Sequence, residues 1–232
     1  MAEGAISAGS WWLCCHRGVG EREEYYDRRA AEYDETITAD LDAETAAAFA
    51  GELAALGSVL AALPPGRVLD VACGTALFTQ HLRGQVVALD QSAGMLRVAR
   101  ARIPTARLVQ AAVPALPFAS MTFDRLVTCH FYGHLVEVER VAFVTEARRV
   151  TCELVVVDTA VADAAVPDGW QERVLRNGSR YTIYKRHFTP AQLLAELGGD
   201  GQVLFAGRFF VAVCSCLSRG EAIAGLGMRL RA

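Results

Sequence analysis

Two aspartates each close a short apolar run. Asp70 lies in V-L-D-V-A-C-G-T-A, residues 68–76, and Asp90 ends V-V-A-L-D, residues 86–90, sixteen residues beyond Gly74. In the first stretch Ala72, Gly74 and Ala76 remove side-chain bulk at alternate positions, which lets a ligand come against the backbone. A dinucleotide fingerprint would need glycine at three places that here hold Ala72, Gly74 and Leu77. A carboxylate beside such a turn repels a pyrophosphate and attracts an ammonium or sulfonium group. Asp90 is placed to accept hydrogen bonds from a ribose. Together the two acids fit a cationic nucleoside.

Residues of this kind need a rigid frame. From Glu21 to Leu63 the chain is rich in Ala, Leu and Glu and lacks Pro, which predicts two helices, the second over Asp40 to Leu63, stopped by Pro64-Pro65-Gly66. Beyond that stop, β-branched runs at Arg67 to Val71, Val86 to Asp90, Ala106 to Ala111, Phe123 to Cys129 and Glu153 to Asp158 alternate with helical intervals. That rhythm predicts βαβ units and a parallel sheet. Ser92 is an N-cap for the second interval, and a fourth interval runs from about Val136 to Arg149. Residues 159–188 interrupt the alternation before Thr189-Pro190-Ala191-Gln192 opens a helix with a capping box. Gln202 to Phe205 and Phe209 to Ser215 are too close for a crossover, so they should pair antiparallel. One domain over residues 21–232 is expected, with residues 1–20 a poorly ordered extension.

In this setting V-L-D-V-A-C-G-T-A, V-V-A-L-D-Q-S-A-G-M-L and L-P-F-A-S-M-T-F-D together resemble the successive motifs of class I S-adenosylmethionine-dependent methyltransferases, from about Tyr25 to Phe210. The resemblance implies a Rossmann-like, seven-stranded, mostly parallel α/β sheet with helices on both faces, an antiparallel last strand and an N-terminal helical lid over residues 21–63. It also implies S-adenosyl-L-methionine as cofactor. Gly74 and Ala72 would then meet the methionine part together with Asp70, Asp90 the ribose beside Gln91, and Met95 the adenine face. Y-Y-D-R-R-A-A-E-Y-D, residues 25–34, resembles the lid helix of the small-molecule branch, which turns Tyr33 to the cofactor. Two positions depart from the family pattern: Ala76 adds a methyl where the cofactor's carboxylate end should lie, and Ala112 stands where an Asp often holds the adenine amino group. Backbone groups of residues 111–113, Val113 included, are expected to bind the ring instead.

Methyl transfer draws on alignment of nucleophile and methyl, so no catalytic residue is obligatory. A hydroxyl or acidic-carbon acceptor would gain from a general base, and C-H-F-Y-G-H-L, residues 129–135, sets His130, Tyr132 and His134 at the end of a strand. His134 is the favoured base, followed by His130; otherwise one histidine caps a carbonyl and the other lies on the surface. His187 is expected to serve structure, His81 to be exposed on the first crossover helix, and His16 to lie in the extension. Tyr25, Tyr26, Trp170, Tyr181 and Tyr184 could wall an acceptor pocket, with residues 159–188 a substrate-side insertion, or could simply pack in the core.

The 232-residue chain is 53% hydrophobic and 21% charged, with a net charge of −3. This balance argues against a nucleic-acid partner. Apolar stretches are interrupted before the ~18 residues that a spanning helix needs, so no membrane association is expected, and the protein reads as cytoplasmic, a monomer or homodimer. Seven cysteines without a C-x-x-C pair, and a lone Asp158 after the fourth strand, point to no metal. The expected activity is methyl transfer to an O, N or C nucleophile of a small metabolite. The alternatives are a non-methylating cyclisation or elimination on the same fold, and a cofactor-free scaffold subunit.

Overall fold

The computed structural model describes residues 20–39, 41–113, 115–163, 167–198 and 200–216. Trp11, Trp12, Cys14, Cys15 and His16 lie outside the described residues. Nine strands are present among them: β1 (Gly66–Val71), β2 (Gly84–Asp90), β3 (Arg107–Gln110), β4 (Arg125–Cys129), β5 (Glu153–Thr159), β6 (Gly169–Val174), β7 (Arg180–Lys185), β8 (Asp200–Ala206) and β9 (Phe210–Cys216). Seven form one sheet in the order β3-β2-β1-β4-β5-β9-β8, and β6 and β7 form a separate two-stranded ribbon. β3, β2, β1, β4 and β5 run parallel, while β9 is antiparallel to both β5 and β8. The strand order reverses between β1 and β4, where a crevice opens beyond the carboxyl ends.

The helices are α1 (residues 20–29), α2 (Tyr33–Thr36), α3 (Ala43–Ala62), α4 (Ala93–Arg102), α5 (Glu137–Val150) and α6 (Pro190–Leu197). Side-chain alternation along each strand divides the core between two faces. Leu69, Val71, Leu89, Leu126, Leu154 and Val156 meet Phe143, Ala147 and Val150 of α5 and Leu193 and Leu197 of α6. On the other face Val68, Val127, Val155 and Val157 meet Leu56 and Leu60 of α3, and Ala88 meets Ala99 and Ile103 at α4. Caps set the helix starts: Asp42 accepts from Thr45 N–H at 2.8 Å, Ser92 from Met95 N–H at 3.0 Å and Thr189 from Gln192 N–H at 3.2 Å. Pro190 occupies the first turn of α6, and Gly198 ends it at φ 57°.

Several expectations are corrected. The N-terminal segment breaks at residues 30–32 into α1 and α2, and α3 begins after Asp42 rather than at Asp40. α3 packs on the sheet instead of belonging to the lid. By length and composition it is apolar enough to cross a bilayer, contrary to the expectation that every apolar stretch is interrupted too soon. Glu52, however, accepts hydrogen bonds from the N–H groups of Arg208 and Phe209 at 2.6 and 3.0 Å, tying the helix to the β8–β9 turn. The first crossover has no α-helix, only a 3-10 turn over Thr79–His81. Ala72, Gly74 and Ala76 hold φ of 58°, 54° and 63°, left-handed values that cannot propagate a right-handed helix. His81 is therefore not on an exposed helix. Its ring packs where Gly57 of α3 has no side chain, since a Cβ there would lie 2.9 Å from it. Among the described residues the β3–β4 connection also lacks a helix.

Candidate active site

A cavity of about 1200 Å³, counting its open mouth, lies beyond the carboxyl ends of β1, β2 and β4. Its walls include Tyr33, Asp70, Ala72, Gly74, Asp90, Gln91, Met95, Val113, His130 and His134, so all but one of the residues expected to touch the cofactor, and both histidines favoured as bases, border one cavity. The exception is Ala112, which is exposed and does not border the cavity. The adjacent Ala111 N–H donates to the Asp90 carbonyl at 3.1 Å, which turns the loop so that Val113 faces inward.

Asp90 is the hub. It is 7% exposed; one carboxylate oxygen accepts the Gly74 N–H at 2.8 Å and the other the Ser92 N–H at 2.9 Å. The acid at the end of β2 thus braces both the glycine turn and the start of α4. Burial raises its pKa, while the N–H groups of Ser92, Gly74 and Gln91 pull it the other way. Gly74 has open space where a Cβ would stand, so the backbone is bare on that side. Asp70 is 1% exposed, with Oδ2 accepting the Thr79 hydroxyl at 2.6 Å and Oδ1 buried without a protein partner. Desolvation, helped by the Asp90 charge, raises its pKa to about 7. Such a carboxyl favours a cationic neighbour. Ala76 does not obstruct the cavity as expected: it is fully buried and its methyl packs with Ala88, Ala99 and Ile103 under α4.

A lid closes over this turn, held by acids that sequence reasoning missed. Asp27 of α1 accepts from the Ser92 hydroxyl and the Gly94 N–H, both at 2.7 Å, and these bonds lower its pKa. Gly94 is required there, because a Cβ would stand 2.8 Å from the Asp27 carbonyl. Asp34 of α2 accepts from the Thr75 hydroxyl at 2.7 Å and from Arg102 at 2.6 Å. Tyr25 packs with Leu175, Tyr181 and Ile183 of the β6–β7 ribbon, which therefore props the lid from outside. Tyr33 lines the cavity; burial pushes its hydroxyl up to about 12.

The histidines occupy unlike environments. His130 follows β4 at φ 55°, a left-handed conformation that turns its ring to stack on Phe78 (5.6 Å) and meet Phe210 edge-on (5.2 Å). Its Nδ1 is 3.4 Å from the Thr159 hydroxyl, and burial lowers its pKa to about 4. His134 Nδ1 lies 2.7 Å from the Tyr184 carbonyl and must donate to it, which leaves Nε2 to accept the Tyr26 hydroxyl at 3.0 Å. Burial, with the Lys185 charge, lowers the His134 pKa to about 3. Both rings are neutral near pH 7. Asp158, fully buried, anchors the loop beneath them, accepting from Gly133 N–H, Thr159 N–H and Lys185 Nζ at 2.7, 2.8 and 2.7 Å.

Tyr132 turns away from the cavity: it is 1% exposed and its hydroxyl donates to Glu196 at 3.3 Å. Of the five aromatics expected as a wall, Tyr26 alone borders the cavity. Tyr25 and Tyr181 fill the lid's own core, and Trp170, 58% exposed, packs on Tyr184. Phe49, Leu53, Phe78, Phe209 and Phe210 wall it instead, with Arg22 at the lid. Their places follow from packing of α3 and from β9 pairing with β5, which no local signal encodes. His187, as expected, serves structure, its N–H and ring bonding Asp168 at 2.9 and 3.0 Å. No group of three or more metal-ligating side chains occurs among the described residues.

A methyltransferase-domain family profile matches residues 68–153. Demethylmenaquinone methyltransferase of Renibacterium salmoninarum is 44% identical over 66 residues, covering 27% of this chain and 28% of that one. An uncharacterized methyltransferase of Alkaliphilus oremlandii is 28% identical over 123 residues, 50% of this chain and 56% of its own. The chain thus spans between about a quarter and about half the length of these curated relatives. Among solved structures, the DhpI–SAH complex superposes with a TM-score of 0.64 at 27% identity over 88% of this chain and 99% of that one, and the DhpI–SAM–HEP complex with 0.64 at 27% over 85% and 97%. The PH0226 protein of Pyrococcus horikoshii OT3, at 19% identity and TM-score 0.61 over 81% and 99%, shares the fold.

Proposed function

We propose that this chain, which belongs to the class I S-adenosylmethionine-dependent methyltransferase superfamily, transfers a methyl group from S-adenosylmethionine to a nucleophile on a small-molecule acceptor. The observation that carries the reading is the junction at which Asp90 accepts the Gly74 N–H while Asp70, whose buried Oδ1 has no protein partner, and Met95 border the same cavity. Two acids, a bare backbone and an apolar face suit, in turn, the ribose and ammonium, the methionine chain and the adenine of that cofactor. When bound, the cofactor would supply a methyl on a sulfonium, the carbon–sulfur bond breaking with its electron pair kept by sulfur as the bond to the acceptor forms, and the proton of an O–H or N–H acceptor passing to water at the cavity mouth.

The chain's own part is to bind, align and exclude water. Gly74 and Ala72 permit the close approach; Asp70 and Asp90 hold charge and hydroxyls; α1 and α2, latched by Asp27 and Asp34, cover the turn. His134 is tied at both ring nitrogens, so its part is to orient Tyr26, whose oxygen keeps lone pairs for an acceptor N–H or O–H. Positioning, rather than a strong base, is the mechanism this geometry supports.

Incubating the protein with methyl-labelled S-adenosylmethionine and a fractionated metabolite extract should move label into a small molecule, read by mass spectrometry. Turnover of the cofactor with the label retained in its own fragments would replace methyl transfer by a non-methylating reaction. Failure to bind the cofactor or its demethylated product would refute the reading altogether.

A further inference from the structure

The cavity divides along the sheet. Gly74, Asp90, Gln91, Met95 and Val113 follow β1, β2 and β3 and form one half. The other half lies past the point where strand order reverses, and it is built from α3, the turn before Thr79, the ends of β4 and β5 and the start of β9. It is aromatic. Phe78 and His130 stack at 5.6 Å, His130 and Phe210 meet edge-on at 5.2 Å, and Phe49 contacts Phe209 at 5.3 Å and Phe210 at 5.0 Å. The antiparallel register pairing Thr159 with Phe210 sets this cluster against the carboxyl end of β5. Phe49, Phe78 and His130 are only partly buried, so their rings serve the cavity and not the core alone.

The wall formed by Phe49, Phe78, His130 and Phe210 carries no formal charge. The charged residues bordering the cavity, among those described, are Arg22, Asp70 and Asp90. The two acids belong to the cofactor half. Arg22, beside the loop after β4, donates to the His134 carbonyl at 3.0 Å and to Glu139 at 3.4 Å, while its Nε is buried without a hydrogen-bond partner. The Cys129 thiol is held protonated by burial, and both histidines are neutral. An anionic group seated against these rings would shed its water and meet only their electron-rich faces, which disfavours it. A flat uncharged ring would instead bury its faces against aromatic edges and faces.

Building on the methyltransferase reading, we propose that the acceptor is a neutral, flat, mainly apolar molecule, a phenol-like or heteroaromatic ring bearing its nucleophile at one edge, seated against Phe49, Phe78, Phe210 and His130. Metabolites that carry a negative charge at the reacting ring are disfavoured by the same wall.

The test uses 2-naphthol as the probe, titrated into the full-length protein saturated with S-adenosylhomocysteine. Saturable one-site binding is expected. Phe49→Ala should weaken it about tenfold, the worth of one aromatic contact with its buried area. His130→Asn, which keeps a residue tolerant of the left-handed backbone, should weaken it likewise. Affinity for S-adenosylhomocysteine, read in the same samples, reports that fold and cofactor half are intact. The proposal is overturned if S-adenosylhomocysteine binds while 2-naphthol does not, if both variants bind 2-naphthol as the wild type does, or if succinate or phenyltrimethylammonium binds in its place. Loss of S-adenosylhomocysteine binding by the unaltered protein would instead remove the methyltransferase reading on which the proposal rests.

Discussion

Lowering the pH from 8 to 5 should weaken cofactor binding through Asp70. In the ligand-free fold this carboxyl is 1% exposed, and its pKa is raised to about 7 by desolvation, with the Asp90 charge adding to the effect. A cationic ligand beside Oδ1 stabilises the ionised form, so binding below pH 7 must first expel a proton. The raised value belongs to the free state. Affinity is therefore full above pH 7 and falls as the pH drops through it, about tenfold per unit, as long as the bound-state pKa lies well below the pH. At pH 5 the loss is about 100-fold, or about 2.7 kcal/mol. Calorimetry in buffers of different ionisation enthalpy should detect about 0.9 proton released per cofactor at pH 6 and about 0.1 at pH 8. Asp70→Asn should flatten both profiles. An affinity constant from pH 8 to 5, or no proton release at pH 6, would refute the assignment of Asp70 to the cofactor's cationic end.

Asp90→Ala should lose about 1.5 to 3 kcal/mol of cofactor affinity by calorimetry, because charge-assisted hydrogen bonds are removed. Gly74→Val should abolish binding in the same assay, since its Cβ would project into the open approach and its φ of 54° disfavours a branched residue. Asp27→Ala removes the bonds to Ser92 and Gly94, so amide exchange over residues 20–36 should speed up and cofactor should protect that segment less. With the pKa values of His130 and His134 near 4 and 3, turnover at saturating cofactor should show no inflection around pH 6.5; an inflection there would restore a histidine with an ordinary pKa as general base.

The local pattern of residues determined much of the cofactor half. Asp70, Gly74 and Asp90 are legible because a strand must end where its acid meets a turn, whereas Met95 is singled out by the family resemblance alone, and the cap at Ser92 sets it one turn into α4. The α6 capping box and the closing antiparallel strands are short-range signals of the same kind. Where the alternation suggested a helix after β1, left-handed Ala72, Gly74 and Ala76 made a turn instead, since backbone angles of that sign are not written in an alanine. Ala76 shows the limit most clearly: its methyl could point at the ligand or into the core, and packing against Ala99 and Ile103 sent it inward. His134 looks like a base in one dimension. Only the approach of Tyr184 and Tyr26, 50 and 108 residues away, fixes its tautomer and removes its free nitrogen. The aromatic half came wholly from tertiary structure, because Phe49, Phe78 and Phe210 are distant in sequence and meet only when α3 lies on the sheet and β9 inserts beside β5. Strand ends and caps are decided by neighbours within a few residues, whereas a binding wall is decided by which distant surfaces the core brings together.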